Sequence, residues 1–382
     1  MLGSATDPLI RAPSLFTVRA ASATVTIALA ALLASVASAA DDELAADEDA
    51  LFFPTSARLD ESRQNWVVPI RGWVYEPDDN RITRAALERA VRLTIGVGSQ
   101  NPMAQRIRRQ VGWFAVDNER GKQLSIRLGD GLMRTSPPTG ADGHFNFEVS
   151  VPRGGAERLA KDGWLTFSTI AADGRQFRGR AQLIQPHGVT VLSDVDDTIK
   201  ISAVQDRLEL LRNTFAREPK ATAGAAAAFR AWRSRGAKVH FLSGSPWHLY
   251  PLFDELLASK DFPAASFDLR QYRIKNITQL YHLADTVAFK TAVIKRLLKQ
   301  FPQRSFVMIG DSGQHDPEIY AAAARAHPQQ VIGVFIRKVN GDQEQRFAEA
   351  FEGVDVSKWQ AFDHYEEIEE RVAALIQKNA AP

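Results

Sequence analysis

The sequence reads as an α/β protein in two parts: a β-rich, sandwich-like domain, then a domain built on a parallel sheet. Three observations carry this. At 382 residues the chain exceeds what one hydrophobic core usually serves, and 45% apolar with 24% charged residues is ordinary globular composition. Between Trp66 and Gly188, β-rich runs alternate with turn signals. From Val189 onward, apolar strands alternate with amphipathic helices, the pattern of a parallel α/β sheet.

The elements follow in order. Arg11 and Arg19 precede an apolar run from Ala20 to Val36, and Ala37-Ser38-Ala39 offers a small-residue cleavage site. Residues 1–39 therefore read as a secretory signal cleaved after Ala39, and the protein as exported, periplasmic or secreted. An uncleaved anchor is the alternative, because a run of about 17 apolar residues borders on bilayer-spanning length. No other stretch approaches ~18 uncharged apolar residues, which predicts a soluble mature protein. The chain has no cysteine, so it has neither disulfides nor thiolate metal sites. Residues 40–50 are acidic and Ala-rich and read as a flexible segment. The β-rich domain is expected over 51–187, with strands at 66–75, 123–128, 144–151 and 164–170. Turns fall at Asn118-Glu119-Arg120-Gly121 and Ala141-Asp142-Gly143. One helix is expected at 82–93, where Asp78-Asp79-Asn80 offers caps and Ala85, Ala86, Leu87, Ala90 and Val91 form an apolar stripe.

The second domain, 188–382, is expected to place strands at 189–192, 238–242, 266–269, 306–309 and 331–335. Helices are expected between them at 222–235, 248–258, 286–299 and 316–326, with a last amphipathic helix at 365–377 packed over the sheet. A net charge of +2 gives no basic face for nucleic acid and no acidic solvating tail.

Four motifs carry chemistry, three of them just after expected strands, at the carboxyl edge where open α/β sheets place ligands. In Asp194-Val195-Asp196-Asp197-Thr198, Asp194 and Asp196 lie two apart, so both can serve one site, Asp194 to attack phosphorus and Asp196 to move protons. In Ser243-Gly244-Ser245-Pro246-Trp247, the Ser243 hydroxyl can donate to a phosphate oxygen and Gly244 allows close backbone approach. Lys290 offers a compact point charge for an aspartate–phosphate pair. In Gly310-Asp311-Ser312-Gly313-Gln314-His315-Asp316, Asp311 can complete the oxygen-rich shell that magnesium prefers, and Asp316 can hold that shell. Taken singly, each has a bland reading as a solvated turn, a helix cap or a surface lysine.

Their order is more specific. It resembles the four motifs of the haloacid-dehalogenase-like superfamily, whose phosphatases use the first Asp as nucleophile and the second as acid/base. Longer strings narrow this, namely Ser193-Asp194-Val195-Asp196-Asp197-Thr198-Ile199-Lys200, Asn213-Thr214-Phe215, the Ser243 motif extended through Pro251, and the Gly310 motif extended through Tyr320. Over residues 189–337 the chain is similar to the actin-patch phosphatidate phosphatase catalytic domain. Trp113 to Gly121 and Gly143-His144-Phe145 resemble the β-rich region that bacterial members carry. The resemblance implies a Rossmann-like parallel sheet and a magnesium ion held by Asp194, the main chain at Asp196, and Asp311. It further implies that Ser243 and Lys290 hold the phosphate. Gly244 stands where eukaryotic members more often have Asn, and an export signal is foreign to intracellular lipid turnover.

Trp247 and Tyr250 read as helix-to-sheet packing before an acyl-chain wall, His248 and His315 as bystanders before proton shuttles, and Arg270 and Arg273 as surface charge. The short insertions after Thr198 and Ser259 predict an open site suited to a bulky substrate, such as a lipid headgroup met at a membrane surface. The expected function is thus a magnesium-dependent phosphomonoester phosphatase acting on phosphatidate or another lipid phosphate. The alternatives are phosphoryl transfer to an acceptor other than water, and a surface binding or adhesion module with an inactive phosphatase-like domain.

Overall fold

The computed structural model describes residues 44–77, 81–129, 131–271, 286–339, 341 and 343–380. The expected signal, the Asp78-Asp79-Asn80 caps and Arg273 lie outside the described residues. Among these residues are two sheets within one compact unit, Asp42–Pro382.

The first sheet holds β1 (Asp49–Phe53), β2 (Thr55–Asp60), β3 (Asn65–Glu76), β4 (Asp117–Asn118), β5 (Ser125–Leu128), β6 (Leu132–Thr135), β7 (His144–Pro152), β8 (Trp164–Ile170) and β9 (Gln176–Ile184). The long β3 is its spine, pairing antiparallel with β1, β2, β4 and β7. Period-two alternation puts Trp66, Val68 and Ile70 of β3 on the inner face, where they meet Phe145, Val149 and Phe167. The sheet is mixed rather than purely antiparallel, because β2 runs parallel to β9. The region also holds more helix than one interruption. The pair α1 (Arg81–Ile95) and α2 (Met103–Gly112) lies between β3 and β4, and α3 (Arg153–Leu159) follows β7. Within the stretch expected to be flexible, Leu44, Glu48 and Ala50 are buried and Asp49 opens β1. Lys122 Nζ reaches Glu48 Oε1 at 2.7 Å, which offsets the cost of burying that carboxylate.

The second sheet is parallel throughout. Its strands are β10 (Val189–Ser193), β11 (Lys238–Pro246), β12 (Ser266–Arg270), β13 (Ser305–Asp311), β14 (Val331–Arg337) and β15 (Trp359–Phe362), in the order β12-β11-β10-β13-β14-β15. The chain starts in the middle with β10, builds outward through β11 and β12, then crosses back to β13. The direction of winding therefore reverses between β10 and β13, the position where a doubly wound sheet opens a crevice at its carboxyl ends. Helices covering the sheet include α4 (Arg207–Leu211) running into a π-turn over Arg212–Ala216, then α5 (Ala225–Ser234), α6 (Tyr250–Ser259), α7 (Thr286–Gln300), α8 (Asp316–Ala326), α9 (Glu344–Ala350) and α10 (Glu366–Lys378). As expected, α10 lies over the sheet, burying Ile368, Val372 and Ile376.

The two sheets share a core. Phe53 and Trp73 of the first pack with Trp247, Tyr250 and Phe267 of the second, the Phe53 and Trp247 rings 4.1 Å apart. Phe267 N–H donates to the Pro54 carbonyl at 3.0 Å, continuing the contact through backbone.

Candidate active site

β10 and β13 end side by side, and the Asp194 N–H donates to the Ile309 carbonyl at 2.9 Å, clamping the two strand ends together. Asp194 sits one residue beyond β10 and Asp311 is the last residue of β13. Asp316 opens α8, and Lys290 projects from α7 into the same space. Lys290 Nζ bridges Asp194 Oδ1 at 2.7 Å and Asp316 Oδ1 at 2.5 Å. Carboxylate oxygens of Asp194, Asp311 and Asp316 all lie within 4.8 Å of one another, and all three residues are buried. The glycines of this loop are steric requirements. A Cβ at Gly310 would come within 2.5 Å of Asp316 Oδ2, and one at Gly313 within 2.8 Å of Asp311 Oδ1.

Three buried carboxylates facing one ammonium leave excess negative charge. Burial raises Asp194 well above the ordinary carboxylate range against the pull of Lys290. Burial and the neighbouring Asp316 push Asp311 up to about 8. Burial alone would lower the Lys290 ammonium, but Asp194 and Asp316 hold it well above its usual value. Such a set of hard oxygen donors, short of positive charge, fits a divalent cation.

Asp196 belongs to the same pocket but to a different network. Its Oδ1 accepts from Ser202 Oγ at 2.6 Å, and its Oδ2 accepts from Ser243 Oγ at 3.0 Å and Ser245 Oγ at 2.8 Å. Lys200 Nζ stands 3.5 Å away and donates to Ser202 Oγ. Burial pushes Asp196 upward, yet Lys200 and the three hydroxyls outweigh it and hold its pKa below the usual value. The Asp196 carboxylate is thus not one of the Asp194–Asp311–Asp316 cluster, contrary to the expectation that all four acidic side chains share one ion site. Ser243 lines the pocket with its proton directed to Asp196, and its Oγ accepts the Ser245 N–H at 3.0 Å. Gly244 also lines the pocket, and a Cβ there would meet Thr286 Cγ2 at 2.5 Å, so close packing of α7 is one reason for that glycine.

Reading the sequence alone passed over Lys200, Ser202 and Ser245 as site residues, and the role of Asp197. Asp197 takes a left-handed φ of 57° and accepts N–H groups from Ser202, Ala203 and Val204, folding the chain back so that Ser202 faces Asp196. His248 is enclosed by aromatic rings rather than facing the carboxylates. The wall opposite the carboxylates is apolar, made by Leu210, Leu211 and Phe215 with Leu249.

Residues 189–338 match the family described as the phosphatidate phosphatase APP1 catalytic domain. Within those bounds the chain is similar to that catalytic domain. Two curated relatives are similar to part of the chain. One is an uncharacterised protein of Schizosaccharomyces pombe, 29% identical over 174 residues, covering 44% of this chain and 28% of the relative. The other is the phosphatidate phosphatase APP1 of Saccharomyces cerevisiae, 29% identical over 161 residues, covering 41% of this chain and 27% of the relative. The chain therefore spans less than a third of the length of these relatives. Among solved structures, an apo β-glucuronidase 3 of Bacteroides uniformis aligns at 10% identity with a TM-score of 0.23, over 86% of this chain and 38% of that one. That likeness bears on neither fold nor function. The matched region begins at β10 and holds all four chemical motifs, whereas the first sheet and the α1–α2 pair precede it.

Proposed function

We propose that the chain is an exported, magnesium-dependent phosphatase of the haloacid-dehalogenase-like type, acting on phosphatidate or another lipid phosphate. The observation that carries this reading is the convergence of Asp194, Lys290, Asp311 and Asp316 beside Asp196 at one crevice. An Asp194 oxygen attacks phosphorus, the bond from phosphorus to the ester oxygen breaks, and Asp196, a carboxylate at rest, takes a proton from solvent and gives it to the departing alcohol. Water then attacks the phosphoryl-aspartate and passes a proton to Asp196, and the bond to Asp194 breaks to release phosphate. The hydroxyls around Asp196 serve both halves, since each can donate to the carboxylate or turn to accept from the protonated acid. Lys290 orients Asp194 and pulls against the burial that favours its neutral form. Magnesium held by Asp194, Asp311 and Asp316, with the main chain at Asp196, would supply the charge that lets an anionic carboxylate meet an anionic phosphate. The apolar wall of Leu210, Leu211 and Phe215 supports a substrate with an apolar part, and the name of the yeast relative supports phosphatidate.

The test is phosphate release from phosphatidate, small phosphomonoesters and phosphopeptides, with magnesium or chelator. Wild type should act on phosphatidate only with the metal, and Asp194→Asn should lose at least about a thousandfold in rate. A folded wild type inactive on every ester, or an active Asp194→Asn, would sink the mechanism.

A further inference from the structure

The helix α1 has two faces. Leu87, Val91 and Ile95 turn inward, and with Ile107 and Val111 of α2 they pack on Leu211, Phe215 and Ala216. Leu211 and Phe215 are also the apolar wall of the pocket, so the helix pair braces the mouth of the candidate active site from outside. The outward face of α1 is apolar as well. Ile82 is 87% exposed and Leu93 69%, with exposed Ala86 and Ala90 between them at helical spacing and exposed Arg81 and Arg89 beside them. Together α1 and α2 carry seven arginines against three carboxylates: Glu88, turned inward and paired with Arg92 and Arg108, and Glu218 and Glu255, which pair with Arg106 and Arg109. Other large exposed apolar residues adjoin site residues in the chain: Leu208 two before Leu210, Val287 next to Thr286, and Ile201 next to Ser202.

We infer that the outward face of α1 docks the protein on an anionic lipid surface, presenting the pocket to substrate held in that surface. Exposed Leu and Ile flanked by Arg on an amphipathic helix is the pattern that seats in the headgroup region, the apolar side chains entering and the arginines meeting lipid phosphates. A protein partner would be met by the same apolar residues, but the excess of arginine over carboxylate favours a polyanionic surface. The choice of a membrane rests on the lipid-phosphate reading above, while the docking itself is measured without it.

The experiment is sedimentation of the full chain with vesicles of phosphatidylcholine, alone or containing phosphatidylglycerol. Wild type is compared with Ile82→Asp/Leu93→Asp and Arg81→Glu/Arg89→Glu, and each protein is assayed on the soluble ester p-nitrophenyl phosphate. Wild type should bind the anionic vesicles in preference, and each double variant should bind them at least about tenfold more weakly. Hydrolysis of the soluble ester should be unchanged. Equal binding by all three proteins would overturn the proposal, as would wild type that binds neither vesicle. Loss of self-association in the variants, with vesicle binding intact, would overturn it in favour of a second copy on that face. Wild type that binds as expected yet hydrolyses no ester would leave the docking standing and remove the catalytic reading.

Discussion

His144 is stacked between Phe53 and Trp73, and His248 lies against Phe114 and Trp73, at the seam between the two sheets. Burial, with Arg71 adding for His144 and His144 itself adding for His248, lowers both to about 4, against a pull from Asp142. The unfolded chain would hold these protons up to about 6.5, so between the two values it binds more protons than the folded chain. Stability is therefore fully present above about 6.5 and is lost as the pH falls toward 4, by up to roughly 3 kcal/mol per imidazole. Thermal unfolding followed across that window should show the loss, and His248→Gln should flatten it; an equally steep fall in the variant would refute the assignment. At this scale the sequence was legible where chemistry is tied to a strand end. Asp194, Asp311, Asp316 and Lys290 were named from motif order alone. Lys200 and Ser245 were not, since a lysine four residues after Asp196 and a serine two after Ser243 look solvated until the chain reversal at Asp197 closes over them.

Among elements, β11 fits tightly against the first turn of α7, where Gly244 leaves no room for a methyl beside Thr286. Gly244→Ala should push back the start of α7 and with it Lys290, four residues on. The expected outcome is a fall in kcat of about tenfold or more with a modest loss of stability. Thr286→Ser removes the opposing methyl and should restore most of the rate in the Gly244→Ala background. Failure of that rescue would argue instead that the glycine serves approach of the phosphate to the backbone. Several elements were readable because their periodicity is uninterrupted: α8 and β8 occupy the residues expected, and β3, β10, β13, α7 and α10 agree within one or two. The short β2 and the edge strand β15 were not, because TSARLD and WQAF are too short or too polar to show a period. The helix α2 was missed because its buried face includes Arg106 and Gln110, whose polar ends are neutralised by Glu218 and Glu255 from a distant part of the chain.

Across the whole molecule, one carboxylate ties the sheets together. Asp268 of β12 accepts from Arg71 of β3 at 3.1 Å and from Arg296 of α7 at 2.5 Å, and lies 3.1 Å from His240 Nε2. Despite burial, the His240 contact and the two arginines hold it far below the ordinary carboxylate range. Ser56 of β2 and Ser266 of β12 meet beside it at 2.7 Å. Asp268→Ala removes the acceptor of Arg71 and of the partly exposed Arg296 and should cost about 1–3 kcal/mol. Because Phe53 and Trp73 complete the core of the second sheet, wild type should unfold in a single transition in urea. Two separated transitions in wild type would show that the seam contributes little.

The parallel sheet from Val189, the order of the four motifs and the chemistry expected of them are legible in the chain alone, because apolar periodicity and strand-end position are local properties. Only the tertiary structure decided which groups meet. The division of the acidic residues into a cation-seeking cluster and a hydroxyl-bound Asp196 depends on strands that are neighbours in space but more than a hundred residues apart in the chain. So does the bracing of the pocket wall by α1 and α2, a contact between segments with no pattern in common, made by burial of apolar surface that either would otherwise expose to water.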